Sequence, residues 1–336
     1  MAARLAMNWN RFTTAAQSVA FFGGPGVTTG LAVTAGAGRL GDAGLVVTNA
    51  QGYVSRALAN EASFVVGFAL KGVGPCCILR AMDDVTEQCS IWLRTDGKIE
   101  ARRGATVLGS GTATIHSAVH RWVEVGITVD ATTGVVYVAV DGATDISLTV
   151  QDTNQTANEY ATQIRFGEGA AASATVAFTL GDLYQIDATG GVNDTPLGMV
   201  RIRDVVAAGA GTTAQWTPNT GTGAAAIDDA TPDDDTTYIA SSTVGQISSF
   251  DFGNLSGTIA SIPFVSVSTY GKRTDAGARA ISHYVKVAAD VDNSAALTHA
   301  AGAYDWQHSQ YDVQPDASAW NSTDFNAAEF GVEVET

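Results

Sequence analysis

Positive charge is scarce in this chain: 18 lysines and arginines stand against 34 aspartates and glutamates, a net charge of −16 over 336 residues. Such a chain repels a phosphate backbone, and the pair Arg102-Arg103 does too little locally to offset that, so nucleic-acid binding is excluded. Cysteine is equally sparse. Cys76 and Cys77 are adjacent, a placement that disulfide geometry disfavours. Cys77 and Cys89 have a spacing that could bridge a hairpin, but three cysteines in a large domain read rather as reduced core thiols. No run of about 18 apolar residues occurs, and MAARLAMNWNRFTT lacks the apolar core of a signal peptide, so the expectation is no membrane insertion and no export by that route. A convincing 3.6-residue hydrophobic period is also missing, which argues against helical and α/β architectures.

What remains is a composition of short strands and tight turns: 46% hydrophobic, 15% charged, 36 glycines. Residues 121–142 show it most clearly. Val123, Val125, Ile127 and Val129 share one face of a strand, with Glu124, Thr128 and Asp130 on the other, which reads as a core side and a solvent side. The turn Asp130-Ala131-Thr132-Thr133-Gly134 returns the chain antiparallel. The returning strand is apolar on both faces, Val136, Val138 and Val140 against Val135, Tyr137 and Ala139, which predicts a sheet covered on its outer side too. Further strands are predicted near 27–34, 44–48, 52–57, 63–70, 76–82, 90–95, 98–102 and 146–150, at 164–166, and over Thr175–Ile186. Thr95-Asp96-Gly97-Lys98 forms a hairpin turn. The stretch to Phe22 is mixed.

The order of elements in 63–186 resembles the concanavalin A-like, laminin-G-type jelly roll. It runs from a Phe-Val-Val-Gly-Phe strand through Ile91-Trp92-Leu93-Arg94 and its Asp-Gly hairpin to Trp122, then Thr133-Gly134 leading to Val140-Asp141-Gly142. The polar stretch ending at Pro196-Leu197-Gly198 marks a boundary, so the expected organisation is two antiparallel β-sandwich domains in tandem, 1–198 and 199–336. The second is the more acidic, with 17 acids and 6 bases. Its weakly patterned stretch 207–237 reads as a long interaction loop or arm. Strands are predicted at 238–240, 247–252, 258–268 and 279–287. Glu329, Glu333 and Glu335 alternate with Phe330, Val332 and Val334 as a terminal edge strand with an acidic, solvent-facing side.

The second half is similar to virion proteins of tailed bacteriophages and prophages. The residues that carry the resemblance are Gln215-Trp216-Thr217-Pro218, Asp233 to Ile239, Gly271 to Gly277, and Trp320 with Asn326 to Val332. It implies a virion component assembled in the bacterial cytoplasm, with copies of itself and other virion proteins as partners, and a non-enzymatic role in assembly contacts. The alternative is an adhesin-like module that grips a host surface glycan.

No catalytic residue and no cofactor is expected. The chain has no Glu-x-Asp-x-x-Glu run for glycoside hydrolysis, Glu329, Glu333 and Glu335 coming nearest, and no nucleophile elbow or phosphate loop. Asp228, Asp229, Asp233, Asp234 and Asp235 are a weak Ca²⁺ candidate without EF-hand spacing, and otherwise a solvated acidic loop. His116 and His120 lack further zinc ligands, and His283, His299 and His308 carry no motif. Trp216, Tyr238, Tyr270, Tyr304, Trp306, Tyr311 and Trp320 enrich the second half in aromatics. Of these, Trp216, Tyr238, Tyr304, Trp306 and Trp320 are the candidates for glycan or subunit contacts.

Overall fold

A computed structural model describes residues 3–48, 51–167, 177–188, 191–275, 277 and 279–336. It divides into two compact units, Ala2–Arg203 and Asp204–Thr336. Among the described residues both are all-β, as the alternation implies, apart from two short α-helices and two single-turn 3₁₀ segments.

The first unit opens with β1 (Ala3–Met7), α1 (Ala15–Phe22), β2 (Leu31–Thr34) and β3 (Gly44–Val47). It continues through β4 (Tyr53–Glu61), β5 (Ser63–Val73), β6 (Cys76–Asp83), β7 (Thr86–Leu93) and β8 (Lys98–Arg103). Last come β9 (Thr106–Thr114), β10 (Arg121–Thr128), β11 (Gly134–Val140), β12 (Ala143–Gln151), β13 (Ala161–Gly167) and β14 (Ala177–Asp187). The predicted start of that last strand at Thr175 lies outside the described residues. Eight strands form one sheet in the order β12-β11-β10-β5-β14-β3-β2, with β1 also on β14; six form the other, β4-β13-β6-β7-β8-β9. Phe64, Val66, Phe68 and Leu70 point inward from the first sheet. Phe68 meets Phe166 of the second edge-on, with ring centroids 5.9 Å apart. Full burial of each such side chain stabilises the fold by about 1.5–3 kcal/mol. Cys76, Cys77 and Cys89 are free and buried, and burial pushes the Cys76 and Cys89 thiols up to about 12.

Two features depart from the sequence reading. The mixed N-terminal stretch contains α1, held by a Thr14/Gln17 capping box and ended by Gly23 at φ 70°. Eight residues are too few to display a helical period. Glu124, expected in solvent, is 2% exposed. The chain after β14 folds back as a strap, residues 196–202, over the outer face of the eight-stranded sheet. Gly198 N–H and Tyr184 Oη–H both donate to Glu124 Oε1, and Leu197 N–H donates to Tyr184 Oη. Arg39 pairs with Asp182 at 2.9 Å, reaches the Val200 carbonyl and stacks 4.8 Å over Trp122. Ile202 N–H donates to Asp182 as well. Burial raises the Asp182 pKa against the opposing pull of Arg39, and pushes Tyr184 far above its usual range.

The second unit contains β15 (Ala207–Ala214), β16 (Thr217–Pro218), β17 (Ile239–Ala240), β18 (Ile247–Phe252) and β19 (Val265–Gly271). After them come β20 (Ile281–Val287), β21 (Asp290–Asn293), β22 (Asp305–Tyr311), α2 (Ser322–Ala327) and β23 (Glu329–Val334). A five-stranded sheet, β15-β18-β23-β20-β21, is faced by the ribbon β19-β22, and β16 pairs with β17. Val285, Phe330, Tyr311, Trp320 and Phe325 fill the space between.

Here the structure corrects three expectations. Part of the 207–237 stretch is a strand: β15 runs antiparallel to β18, and its small residues alternate in burial along an edge. Alanine, glycine and threonine carry almost no hydrophobic contrast, so the period was invisible. The C-terminal strand is central rather than an edge, paired with β18 on one side and β20 on the other. Glu329 is consequently 8% exposed and does not face solvent. Finally, only 265–268 of the predicted 258–268 strand is β structure.

Candidate functional site

The ribbon β19-β22 has one face for the core and one that carries most of the unit's outlying aromatics. Its register sets Val265 opposite Tyr311, Val267 opposite Ser309, Thr269 opposite Gln307, and Tyr270 opposite Trp306. Since directly opposed residues share a face, Tyr270, Trp306, Ser268 and His308 fall on the side away from Val265 and Tyr311. Tyr304 precedes β22 and completes a column of rings. Tyr304 and Tyr270 stack with centroids 5.0 Å apart at 17°, Tyr270 and Trp306 lie 4.9 Å apart at 43°, and Trp306 and His308 are nearly parallel at 6.3 Å. Lys272 Nζ caps the far end, 4.6 Å from the Tyr304 ring centre. Each ring pair contributes about 0.5–1.5 kcal/mol beyond its burial. All four rings remain partly exposed.

The acidic loop supplies the polar edge of this column. Tyr270 Oη–H donates to Asp234 at 3.1 Å and Tyr304 Oη–H to Asp235 at 3.0 Å. Lys272 Nζ reaches both oxygens of Asp235, at 2.6 and 2.7 Å. Those bonds, from Lys272 first and then Tyr304, hold the Asp235 carboxyl below its ordinary range. Burial and the neighbouring carboxylates raise both tyrosines, so the phenols stay protonated and donate.

Beneath the column, the inner face is polar at one end. Thr269 Oγ1 lies 3.0 Å from His283 Nε2 and 3.3 Å from His299 Nε2. His299 Nδ1 pairs with Asp305 at 2.7 Å, and His283 Nδ1 with Ser309 Oγ at 2.8 Å. Burial lowers the His283 pKa to about 3, so that ring is neutral. The network fixes the ribbon, and with it the ring column, onto β20.

The sequence candidates are thus separated. Tyr304 and Trp306 belong to the column, whereas Tyr238 is exposed, its backbone N–H donating to Asn219 Oδ1. Trp216 is half-buried and donates to the Gln246 carbonyl. Trp320, expected at a contact surface, is 3% exposed in the core, its indole N–H donating to the Tyr311 carbonyl. The five aspartates do not converge: Asp229 and Asp233 accept from Thr237 Oγ1, while Asp234 and Asp235 turn to the tyrosines. Among the described residues no group of three or more histidine, cysteine or acidic side chains could hold a metal ion. His116 is exposed, and burial with Lys71 and Arg39 nearby lowers His120 to about 4. Sequence reasoning left out Lys272, His308 and the pairing of Tyr270 with Trp306. The short alternation Tyr304-Asp305-Trp306-Gln307-His308 was the available signal. Of the phage-like segment Gly271 to Gly277, Ala276 lies outside the described residues.

No family model matches the chain, and no curated protein matches it. Among solved structures it is similar to alginate lyase Aly36B, with a TM-score of 0.38 and 12% identity over 54% of this chain and 95% of that one. It is also similar to the receptor-binding domain of botulinum neurotoxin type G, with a TM-score of 0.31 and 13% identity, covering 44% of this chain and 39% of that one. For a sialidase from Trypanosoma rangeli the values are 0.34 and 11%, covering 43% of this chain and 25% of that one. The likeness is one of fold. By name the three are an alginate lyase, a toxin receptor-binding domain and a sialidase, and none is a virion protein. The reading of the chain as a non-enzymatic virion assembly component is withdrawn, and so is the exclusion of enzymatic activity.

Proposed function

We propose that the chain recognises a glycan, and that the Tyr304-Tyr270-Trp306 column with Asp234 and Asp235 is the contact surface. The observation that carries this reading is the placement of partly exposed rings within one hydrogen bond of two carboxylates. A pyranose has an apolar C–H face and a rim of hydroxyls, so it needs aromatic carbon and fixed acceptors side by side. Asp234 and Asp235 are already oriented by the phenols and by Lys272, which lowers the ordering cost of accepting from a sugar hydroxyl. The phage-like residues of the second half make a particle surface the setting we propose for this recognition, with other virion proteins and further copies as neighbours. Peptide mass spectrometry of purified particles checks that setting.

The test of glycan recognition is electrophoresis in gels containing soluble β-glucan, galactomannan, dextran or chitooligosaccharide. Retarded migration in at least one of them, lost in Tyr270→Ala/Trp306→Ala, is the expected result. Equal migration of the wild type in every gel overturns the reading, as does undiminished retardation of the double variant.

A further inference from the structure

On the outer face of the eight-stranded sheet, beside the start of the strap, the first unit has a cleft of about 460 Å³. The strand register sets out its floor. Val65, Gly126 and Tyr137 oppose one another in a row across β5, β10 and β11, and Ser63, Thr128 and Val135 form the next row. Pro196 of the strap adds a side wall. Gly126 is the gap in this face. A Cβ built there would lie 3.5 Å from Tyr137 Cβ and 3.8 Å from Val65 Cγ2, ordinary contact with both, so the slot between them is one carbon thick. Internal packing does not account for this glycine. Gly67 and Gly72 on β5 are required by their neighbours, since a Cβ would meet Tyr184 Cε1 at 2.1 Å and Phe178 Cβ at 2.5 Å. At Gly126 no protein atom comes so close, and a glycine inside a strand marks a place where another group approaches the backbone.

The lining decides what that group is. Among the described residues no charged side chain borders the cleft, although the chain carries a net charge of −16. An ion entering it would lose hydration and find no counter-charge. Ser63 and Thr128 place their hydroxyls 2.9 Å apart at one end. One donates to the other, so the pair keeps one O–H to donate and lone pairs to accept. A pyranose has hydroxyls around its whole rim, and those against Val65, Val135 and Pro196 would go unpaired at a cost that one good contact does not return. A flat hydrocarbon ring loses nothing against these walls and stacks on Tyr137.

We infer that this cleft binds a small, neutral molecule with a planar aromatic ring and one hydrogen-bonding group, such as a hydroxyl. The ring enters the slot over Gly126, between Tyr137 and Val65, and its polar group meets the Ser63/Thr128 pair. A slot in which a single carbon touches both walls accepts an arene edge-first and rejects a puckered ring. A mostly apolar cleft with a few placed polar groups is the usual form of a small-molecule site. The inference is independent of the aromatic column in the second unit.

The experiment is equilibrium dialysis of the full chain against 1-naphthol, naphthalene, 1-naphthoate and methyl glucoside. The expected result is one 1-naphthol site with a Kd below about 1 mM, the range open to a ligand of this size. Naphthalene, which lacks the hydroxyl, should bind several-fold more weakly, and the charged naphthoate and the sugar weaker still. Gly126→Val suits a strand and has room for its Cβ; filling the slot, it should weaken 1-naphthol binding at least about tenfold with an unchanged circular dichroism spectrum. Thr128→Val, which keeps the side-chain shape, should weaken 1-naphthol several-fold and leave naphthalene unaffected, and it serves if Gly126→Val does not fold. Tyr270→Ala/Trp306→Ala should change nothing, which separates the cleft from the ring column. The inference is overturned if 1-naphthol does not bind up to its solubility, if Gly126→Val folds and binds like the wild type, or if binding is lost in Tyr270→Ala/Trp306→Ala. Equal or tighter binding of methyl glucoside or 1-naphthoate overturns the choice of a neutral aromatic ligand.

Discussion

Glu329 concentrates several effects in one side chain. Burial on a central strand would raise its pKa, but hydrogen bonds from Ser249 and Thr212 and the Lys286 ammonium outweigh burial and bring it from 4.5 to about 2. Ser249 Oγ donates at 2.6 Å, Thr212 N–H at 2.7 Å and Lys286 Nζ at 3.1 Å. Between pH 4.5 and 2 the unfolded chain holds this proton and the folded chain does not. The stabilisation is therefore complete above about 4.5 and is lost as the pH falls toward 2. Glu329→Gln should lower stability at pH 7 by about 2 kcal/mol and flatten the acid limb of the stability curve in that window. Urea titrations at a series of pH values read both effects; a variant curve parallel to the wild type between pH 4.5 and 2 would contradict the assignment. That a C-terminal glutamate should be buried was not legible from its alternation with Phe330 and Val332. A strand buried on one face looks the same at an edge and in the centre of a sheet, and only the pairing with both β18 and β20 tells them apart.

At the scale of elements, the strap over the eight-stranded sheet depends on Tyr184, whose hydroxyl donates to Glu124 and accepts from Leu197 N–H. Tyr184→Phe leaves that amide without its acceptor and should cost about 1–3 kcal/mol. It should also speed proteolytic cleavage within 191–203 relative to other sites, measured by timed digestion and peptide mapping. An unchanged cleavage rate at the strap would show that Arg39 and Asp182 hold it without Tyr184. The hairpin β10-β11 and its covered outer face were readable because the chain is apolar on both sides there, as in Tyr137 and Val138. What covers that face was not readable, since residues 196–202 are a loop with no periodic signal. The ring column was half readable for a similar reason. Tyr304 and Trp306 stand out in composition, but Tyr270 joins them only through the register of β19 with β22, and Trp320 is indistinguishable in sequence from an exposed tryptophan.

For the molecule as a whole, the division at Arg203 and Asp204 assigns the strap to the first unit. The sequence boundary at Gly198 instead falls within it, because glycine and proline mark where regular structure stops and not where tertiary contacts stop. The two choices give different expectations for fragments. A fragment of residues 1–203 keeps Val200 as an acceptor for Arg39, Ile202 N–H as a donor to Asp182, and the Ile202 carbonyl as an acceptor for Asn8. Cutting after 198 removes all three partners and leaves Asp182, 2% exposed, with one fewer donor. Breaking contacts to buried charged groups costs about 1–3 kcal/mol each, with incomplete additivity among neighbours. Residues 1–203 should therefore unfold in one cooperative transition, at least about 2 kcal/mol more stable than residues 1–198 in urea titration. Residues 204–336, with the core of Val285, Phe330 and Trp320 intact, should unfold cooperatively on their own. If 1–198 and 1–203 have the same midpoint, the strap lies on the sheet without stabilising it. The buried Arg39/Asp182 pair would then be held by the eight-stranded sheet and its own loop alone.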